Sequence, residues 1–168
     1  MTESLTDRIE EVLTRVLPES SLSGYTVRPR QLDMALTVAD AVETGGLFVL
    51  EAGTGVGKSL AYLVPALLSG AKTVVSTATL TLQDQLVSKD IPSLTDALGI
   101  DIRVAVLKGR RNYLCLRKWS LASARFGGFS GLGEWVESTD TGDVSHSPSS
   151  IPPDIWRHVS GDRLDCTG

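Results

Sequence analysis

The sequence predicts an α/β fold: a parallel sheet with flanking helices, incomplete, followed by a loop-rich arm. Three observations predict it. Short apolar runs at 47–50, 72–77 and 102–107 alternate with amphipathic stretches of helical period. The first run, Leu47-Phe48-Val49-Leu50, is apolar at every position, the pattern of a strand buried on both faces. The order strand–helix–strand–helix–strand implies parallel pairing with right-handed crossovers.

Ahead of that alternation, residues 3–16 place Leu5, Ile9, Val12, Leu13 and Val16 on one stripe, an amphipathic helix that Pro18 is expected to end. A second helix fits 30–43, with Pro29 near its start and Gly45-Gly46 closing it. Helix 57–69 turns Leu60, Leu63, Val64, Leu67 and Leu68 inward and is expected to bend at Pro65. Helix 80–97 is expected to break or kink at Pro92. Past residue 119 the periodicity dissolves into Gly, Ser, Thr, Asp and Pro, so 120–168 reads as an arm unable to fold tightly alone.

Between the first strand and its helix lies Glu51-Ala-Gly-Thr-Gly-Val-Gly-Lys-Ser59, a glycine-rich phosphate loop. Gly53, Gly55 and Gly57 lack a Cβ, so the backbone can bend and aim successive N–H groups at phosphate oxygens. Lys58 would add a charge at the β- and γ-phosphates, and the Ser59 hydroxyl would ligate Mg²⁺. The helix that follows points its positive end at the anion. Ala52, Thr54 and Val56 complete the loop, Ala52 standing where the strict pattern has glycine. Nucleoside triphosphate binding is the leading reading.

Length and composition suit a globular chain. The 168 residues are 42% hydrophobic with a net charge of −4, which gives no general affinity for nucleic acid. Charge is nevertheless segregated. Between Asp101 and Glu134 there is no acidic residue, while Arg103, Lys108, Arg110, Arg111, Arg117, Lys118 and Arg125 all fall there. Such an interval is either a local anion-binding surface or a solvated basic face. The chain shows no export or membrane signal, so a cytoplasmic address is expected. Cys115 and Cys166 then read as thiols or ligands in preference to a disulfide.

The second strand ends in Ser76-Thr-Ala-Thr-Leu-Thr-Leu-Gln-Asp-Gln-Leu86, whose hydroxyls and amides suit phosphate-backbone contacts, although Thr79 equally suits a helix cap. Together with the phosphate loop and with Lys108-Gly-Arg-Arg-Asn-Tyr-Leu-Cys115, this segment resembles the DinG branch of the XPD-like DNA helicases over roughly residues 25–118. The resemblance implies a RecA-like motor domain of superfamily 2 that hydrolyses ATP to unwind DNA 5′→3′. It implies that Arg28-Pro-Arg-Gln31 is a Q motif, Gln31 reading adenine through its donor and acceptor. It implies that Thr77, Thr79 and Gln83 approach single-stranded DNA, with Arg110 and Arg111 on a basic track from Lys108 to Lys118. It also implies a [4Fe–4S] cluster in the full-length protein, with Cys115 and Cys166 as its first two ligands.

An iron–sulfur cube takes four thiolates, so two cysteines leave that set incomplete. No Asp-Glu pair follows any of the three apolar runs, and ATP turnover of this type needs such an acid. The sequence is therefore expected to be the N-terminal slice of a longer, monomeric helicase. On that reading, 1–119 is part of the first motor domain and 120–168 the start of a cluster domain. The 168 residues would then be inactive by themselves. The alternatives are a non-motor nucleotide- or DNA-binding fragment and a P-loop kinase.

Overall fold

In the computed structural model, residues 4–20, 22, 24–126, 132–148 and 150–161 are described. They divide into two compact units, Met1–Ala105 and Val106–Gly168.

The first unit opens with a capping box. Ser4 Oγ accepts from the Asp7 N–H at 3.1 Å and the Asp7 carboxylate accepts from the Ser4 N–H at 3.3 Å, starting α1 (Leu5–Glu11). The helix then widens into a π-type turn, Val12–Val16, and continues as α2 (Leu17–Glu19). Pro18, expected to end the helix, sits inside its last turn. A proline ring crowds the carbonyl four residues back and offers no N–H. The wider turn accommodates this by pairing Leu17 N–H with the Val12 carbonyl, five residues back. The same solution recurs before Pro92. There α5 (Leu80–Gln85) passes through a π-type turn, Leu86–Asp90, into α6 (Ile91–Leu98), and Ile91 N–H pairs with the Leu86 carbonyl. The expected interruption thus falls in the turn ahead of the proline.

Helix α3 (Pro29–Thr44) begins on its proline and ends at Gly45, where φ is 76°. Helix α4 (Lys58–Ser69) runs through Pro65 and ends at Gly70. The core of this unit lies between helices. Ile9, Leu13 and Leu17 are stacked four residues apart and fully buried with Ala35, Ala39, Ala61, Val64 and Leu94. Small residues on both α3 and α4 let the two backbones approach, and this helix pair makes the most extensive contact of the unit.

The expected parallel sheet is not formed among the described residues. Segments 47–50, 72–77 and 102–107 carry no ladder partner, and the elements present are helical. Leu47, Val49, Val74 and Leu107 are 84–92% exposed, whereas Phe48, Leu50 and Val75 are about half as exposed. Apolar runs give a strand its side-chain pattern, but a strand exists only where a neighbour accepts its backbone bonds. Among the described residues the apolar area of the helices is buried on other helices, and these runs gain no ladder bonds.

The second unit corrects the expectation of a loop-rich arm. Helices α7 (Leu116–Phe126), α8 (Leu132–Ser138) and α9 (Pro153–Val159) close on a core of Ala122, Leu132, Trp135 and Val159. The Trp135 and Trp156 rings meet at 6.4 Å between centroids, tilted by 58°. Beneath them, residues 113–115 are gripped from two sides. Leu114 N–H donates to the Gly142 carbonyl at 2.8 Å and Cys115 N–H to the Val159 carbonyl at 2.7 Å, while Gly161 N–H donates to the Tyr113 carbonyl at 2.9 Å.

A buried ion pair fastens the same unit. Lys108 Nζ lies 3.0 Å from Asp143 Oδ2, the side chains being only 5% and 7% exposed. Ser145 completes the clasp: its N–H and hydroxyl both donate to Asp143 Oδ1 at 2.9 Å, and its hydroxyl accepts from Lys108 Nζ at 2.8 Å. Burial opposes ionisation of Asp143, but the hydrogen bonds from Ser145 and Lys108 outweigh it and hold the carboxyl below its usual value.

A carboxyl whose folded pKa is depressed stabilises the fold above its unfolded value, about 3.9, and that contribution fades as pH falls through the folded value. Asp143→Ala leaves Lys108 buried without its counter-charge and is expected to cost about 3 kcal/mol. All three tryptophans, Trp119, Trp135 and Trp156, lie in this unit. Urea unfolding followed by tryptophan fluorescence therefore reads the loss directly; a variant as stable as the parent at pH 7 would refute the clasp. The gap between parent and variant should narrow in acid.

Candidate nucleotide-binding site

The stretch Ala52 to Gly57 leaves the first apolar run and turns into α4 through two left-handed glycines, Gly55 at φ 77° and Gly57 at φ 86°. No side chain with a Cβ takes these angles without strain. Gly57 is the residue on which α4 starts, so the first N–H groups of a 12-residue helix open directly onto the loop. Their unpaired donors and the helix dipole make this end attractive to an anion. Lys58 folds back over the loop, its Nζ donating to the Ala52 and Gly53 carbonyls at 2.8 Å each. Ser59 is half-buried in the first turn, and Thr54 is exposed at the loop tip. The structure thus gathers Ala52, Gly53, Thr54, Gly55, Val56, Gly57, Lys58 and Ser59 into one turn. Open space surrounds Gly53 and Gly55 wherever a Cβ would project. An open turn with an ammonium group beside it has the chemistry to meet a phosphate chain.

Open grooves flank the loop. One is lined by Arg28, Pro29, Arg30, Thr54, Gly55 and Val56; another adds Asp33, Met34 and Glu51 beside Ala52 and Gly53. The Arg28 guanidinium donates to the Gly55 carbonyl and so ties the start of α3 to the loop.

Gln31, read in the sequence as a donor–acceptor pair for adenine, presents neither end to these grooves. It is 1% exposed. Its Nε2 donates to the Gly57 carbonyl at 2.9 Å and its Oε1 accepts from the Tyr25 hydroxyl at 3.0 Å. Tyr25 is a site residue that sequence reasoning missed. Its hydroxyl also lies 3.1 Å from the Leu13 carbonyl, and burial raises its pKa against the opposing pull of Arg28. Nothing in the local sequence marks it, because its partners come from α3 and from the turn after α1.

Thr77, Thr79 and Gln83 sit where α5 begins. Thr79 caps that helix, its hydroxyl accepting from the Leu82 N–H at 3.3 Å, and the Thr77 hydroxyl donates to the Thr79 carbonyl at 3.1 Å.

In the second unit, Arg110 and Arg111 are exposed on a 3₁₀ turn, Arg110–Asn112. Lys108, expected to open the basic track, is instead buried against Asp143, so an exposed track can begin only at Arg110. Cys115 is a half-buried free thiol, while Cys166 lies outside the described residues. Among the described residues no three His, Cys, Asp or Glu side chains cluster as metal ligands. One described thiol does not by itself make a cluster site. No helix among the described residues is long and apolar enough to cross a membrane.

The sequence is similar to several curated helicases, although no protein-family model matches it. It is 44% identical over 133 residues, 74% of this chain, to the ATP-dependent DNA helicase YoaA of Haemophilus influenzae. It is 39% identical over 197 aligned positions, covering the whole chain, to the ATP-dependent helicase DinG of Mycobacterium tuberculosis. A third relative, 33% identical over 153 residues, is the 3'-5' exonuclease DinG of Bacillus subtilis. The chain spans only 21%, 29% and 15% of the respective lengths of these proteins.

The loop geometry separates its glycines. A Cβ on Gly57 would lie 2.1 Å from Gln31 Nε2 at a left-handed φ, whereas one on Gly53 would meet nothing within 4 Å. Gly57→Ala is expected to lower stability by about 2 kcal/mol, through strain and loss of the Gln31 contact, and Gly53→Ala by less than about 0.5 kcal/mol. Thermal melting followed by circular dichroism compares them; equal effects would contradict the geometry.

Proposed function

We propose, on the premise that this chain is a DinG-like helicase sequence, that residues 52–59 hold the triphosphate of Mg–ATP for a DNA helicase. The chain covers under a third of the relatives' lengths, so turnover and unwinding are assigned to a longer protein of this kind. The observation that carries the reading is the glycine turn at the head of α4, with Lys58 poised over its carbonyls. In exchange for two neutral carbonyl partners, the Lys58 ammonium gains phosphate oxygens, and a charge-assisted bond is the stronger. The first N–H groups of α4 meet the phosphates from the opposite side. The Ser59 hydroxyl would hold Mg²⁺, and the ion would neutralise phosphate charge when bound. Arg28 keeps the loop anchored to α3 while Lys58 moves.

DNA is the proposed partner, single-stranded and held through its phosphates. Arg110 and Arg111 are its proposed cationic contacts, and Thr77, Thr79 and Gln83 its proposed polar ones. The two cysteines are a partial ligand set, and an iron–sulfur cluster belongs to the reading only for a longer chain that supplies the remaining thiolates.

Calorimetry with Mg–ATP tests the central claim. Lys58→Ala is expected to weaken association by more than about tenfold, the worth of a hydrogen bond to a charged group. Unchanged heat and affinity would overturn the reading. For DNA, replacing Arg110 and Arg111 together by alanine is expected to flatten the salt dependence of oligothymidylate binding by about 1.4 in log–log slope. An unaltered slope would remove both arginines from the interface.

A further inference from the structure

The turn that carries Arg110 and Arg111 is held from behind by its own backbone, through three successive carbonyls. That of Gly109 accepts from the Asn112 N–H at 2.8 Å and from Asn112 Nδ2 at 3.0 Å, and that of Arg110 accepts from the Tyr113 N–H at 3.0 Å. The Arg111 carbonyl accepts from the Trp156 indole N–H at 2.8 Å, a bond that reaches across 45 residues from α9. An indole has a single proton to donate, and this bond uses it.

Two peptide planes flank every Cα and together fix where its Cβ points. The Gly109 and Arg110 carbonyls belong to the planes beside the Arg110 Cα, and the Arg110 and Arg111 carbonyls to those beside the Arg111 Cα. These bonds therefore set the direction in which both side chains leave the backbone, and both residues are exposed. Bonds on Gly109 and Arg110 are made inside the turn and travel with it. The Trp156 bond ties the turn to the body of the unit, because the same ring meets Trp135 at 6.4 Å in the core.

Gly161 supplies the other side of this seat. Its N–H donates to the Tyr113 carbonyl at 2.9 Å, and a Cβ added to it would lie 2.9 Å from the Arg110 carbonyl oxygen. A side chain does not approach a backbone oxygen so closely, so glycine is what lets the turn sit this deep. One short segment, 156–161, thus meets the turn at adjacent peptide groups.

We propose that Trp156 and Gly161 are positioning residues for a nucleic-acid contact, seating the turn so that Arg110 and Arg111 are presented together to the phosphates of one strand. This rests on reading the two arginines as contacts to single-stranded DNA. Guanidinium groups mounted on a fixed turn lose less freedom on meeting phosphate than the same groups on a loose loop, and the gain carries no base preference.

The experiment uses the whole chain and a labelled oligothymidylate, with affinity read by fluorescence anisotropy. Trp156→Phe keeps an apolar ring against Trp135 and removes the indole N–H. Gly161→Ala presses on the Arg110 carbonyl and leaves the core side chains as they are. Each is made in the wild type and in a variant carrying Arg110→Ala and Arg111→Ala. In the wild-type background each is expected to weaken binding about three- to tenfold, the size of one neutral hydrogen bond. Without the arginines neither should change the affinity further. Amide exchange across 110–113, followed by mass spectrometry, should quicken in both.

Equal losses with and without the arginines would overturn the proposal, since the seat would then serve the fold and not the contact. Exchange that stays at the wild-type rate would overturn it too. Should Trp156→Phe fail to fold, Gly161→Ala carries the same comparison. A wild type that binds no oligothymidylate, or an arginine-less variant that binds as tightly, ends the DNA reading of the turn. Arginines that matter beside a Trp156 and a Gly161 that do not would remove the seat and leave that reading standing.

Discussion

One peptide plane, that of the Gly57 carbonyl, carries the organisation of the first unit. Glycine is required there because φ is 86° and because Gln31 occupies the space a Cβ would take. The same oxygen starts α4 through Ala61 and meets α3 through Gln31. Helix start, loop exit and helix–helix packing are thus decided at a single atom. Behind it, Ala35, Ala39 and Ala61 are fully buried in the core between the helices.

Proline sets the remaining helix geometry. Pro18 and Pro92 each follow a stretch whose bonds skip to the fifth residue back, which spares the crowded carbonyl and keeps one helical axis in use. The stripe of Ile9, Leu13 and Leu17 survives because the wide turn replaces a break. A chain that simply stopped at Pro18 would have left Leu17 out of the core.

The second unit adds different physics. Beside its core around Trp135 and Val159, the Lys108–Asp143 pair with Ser145 supplies fixed, directional bonds. Such a pair specifies one arrangement more than it adds stability, since both charges lose water. It fixes the strand-like segment bearing Cys115 against residues 142 and 159. The thiol therefore sits on a braced backbone, while Arg110 and Arg111 next to it face solvent.

Much of the helical framework and the glycine turn ahead of α4 were legible in the sequence, because both are written locally. Gly45 and Gly57 mark helix boundaries by their backbone freedom, Ser4 and Thr79 by their side-chain oxygens, and Lys58 by its place after the glycines. The DinG-like character was legible for the same reason, since it lies in short contiguous motifs. The sheet was read from apolar runs that are real, yet ladder bonds belong to pairs of segments, and among the described residues 47–50, 72–77 and 102–107 form no ladder. The contacts of Tyr25 with Gln31 and of Lys108 with Asp143 follow no helical or strand periodicity that would announce them. Tertiary structure alone could decide that Gln31 is buried and that Lys108 is no surface charge, because burial is a property of the neighbours a side chain acquires.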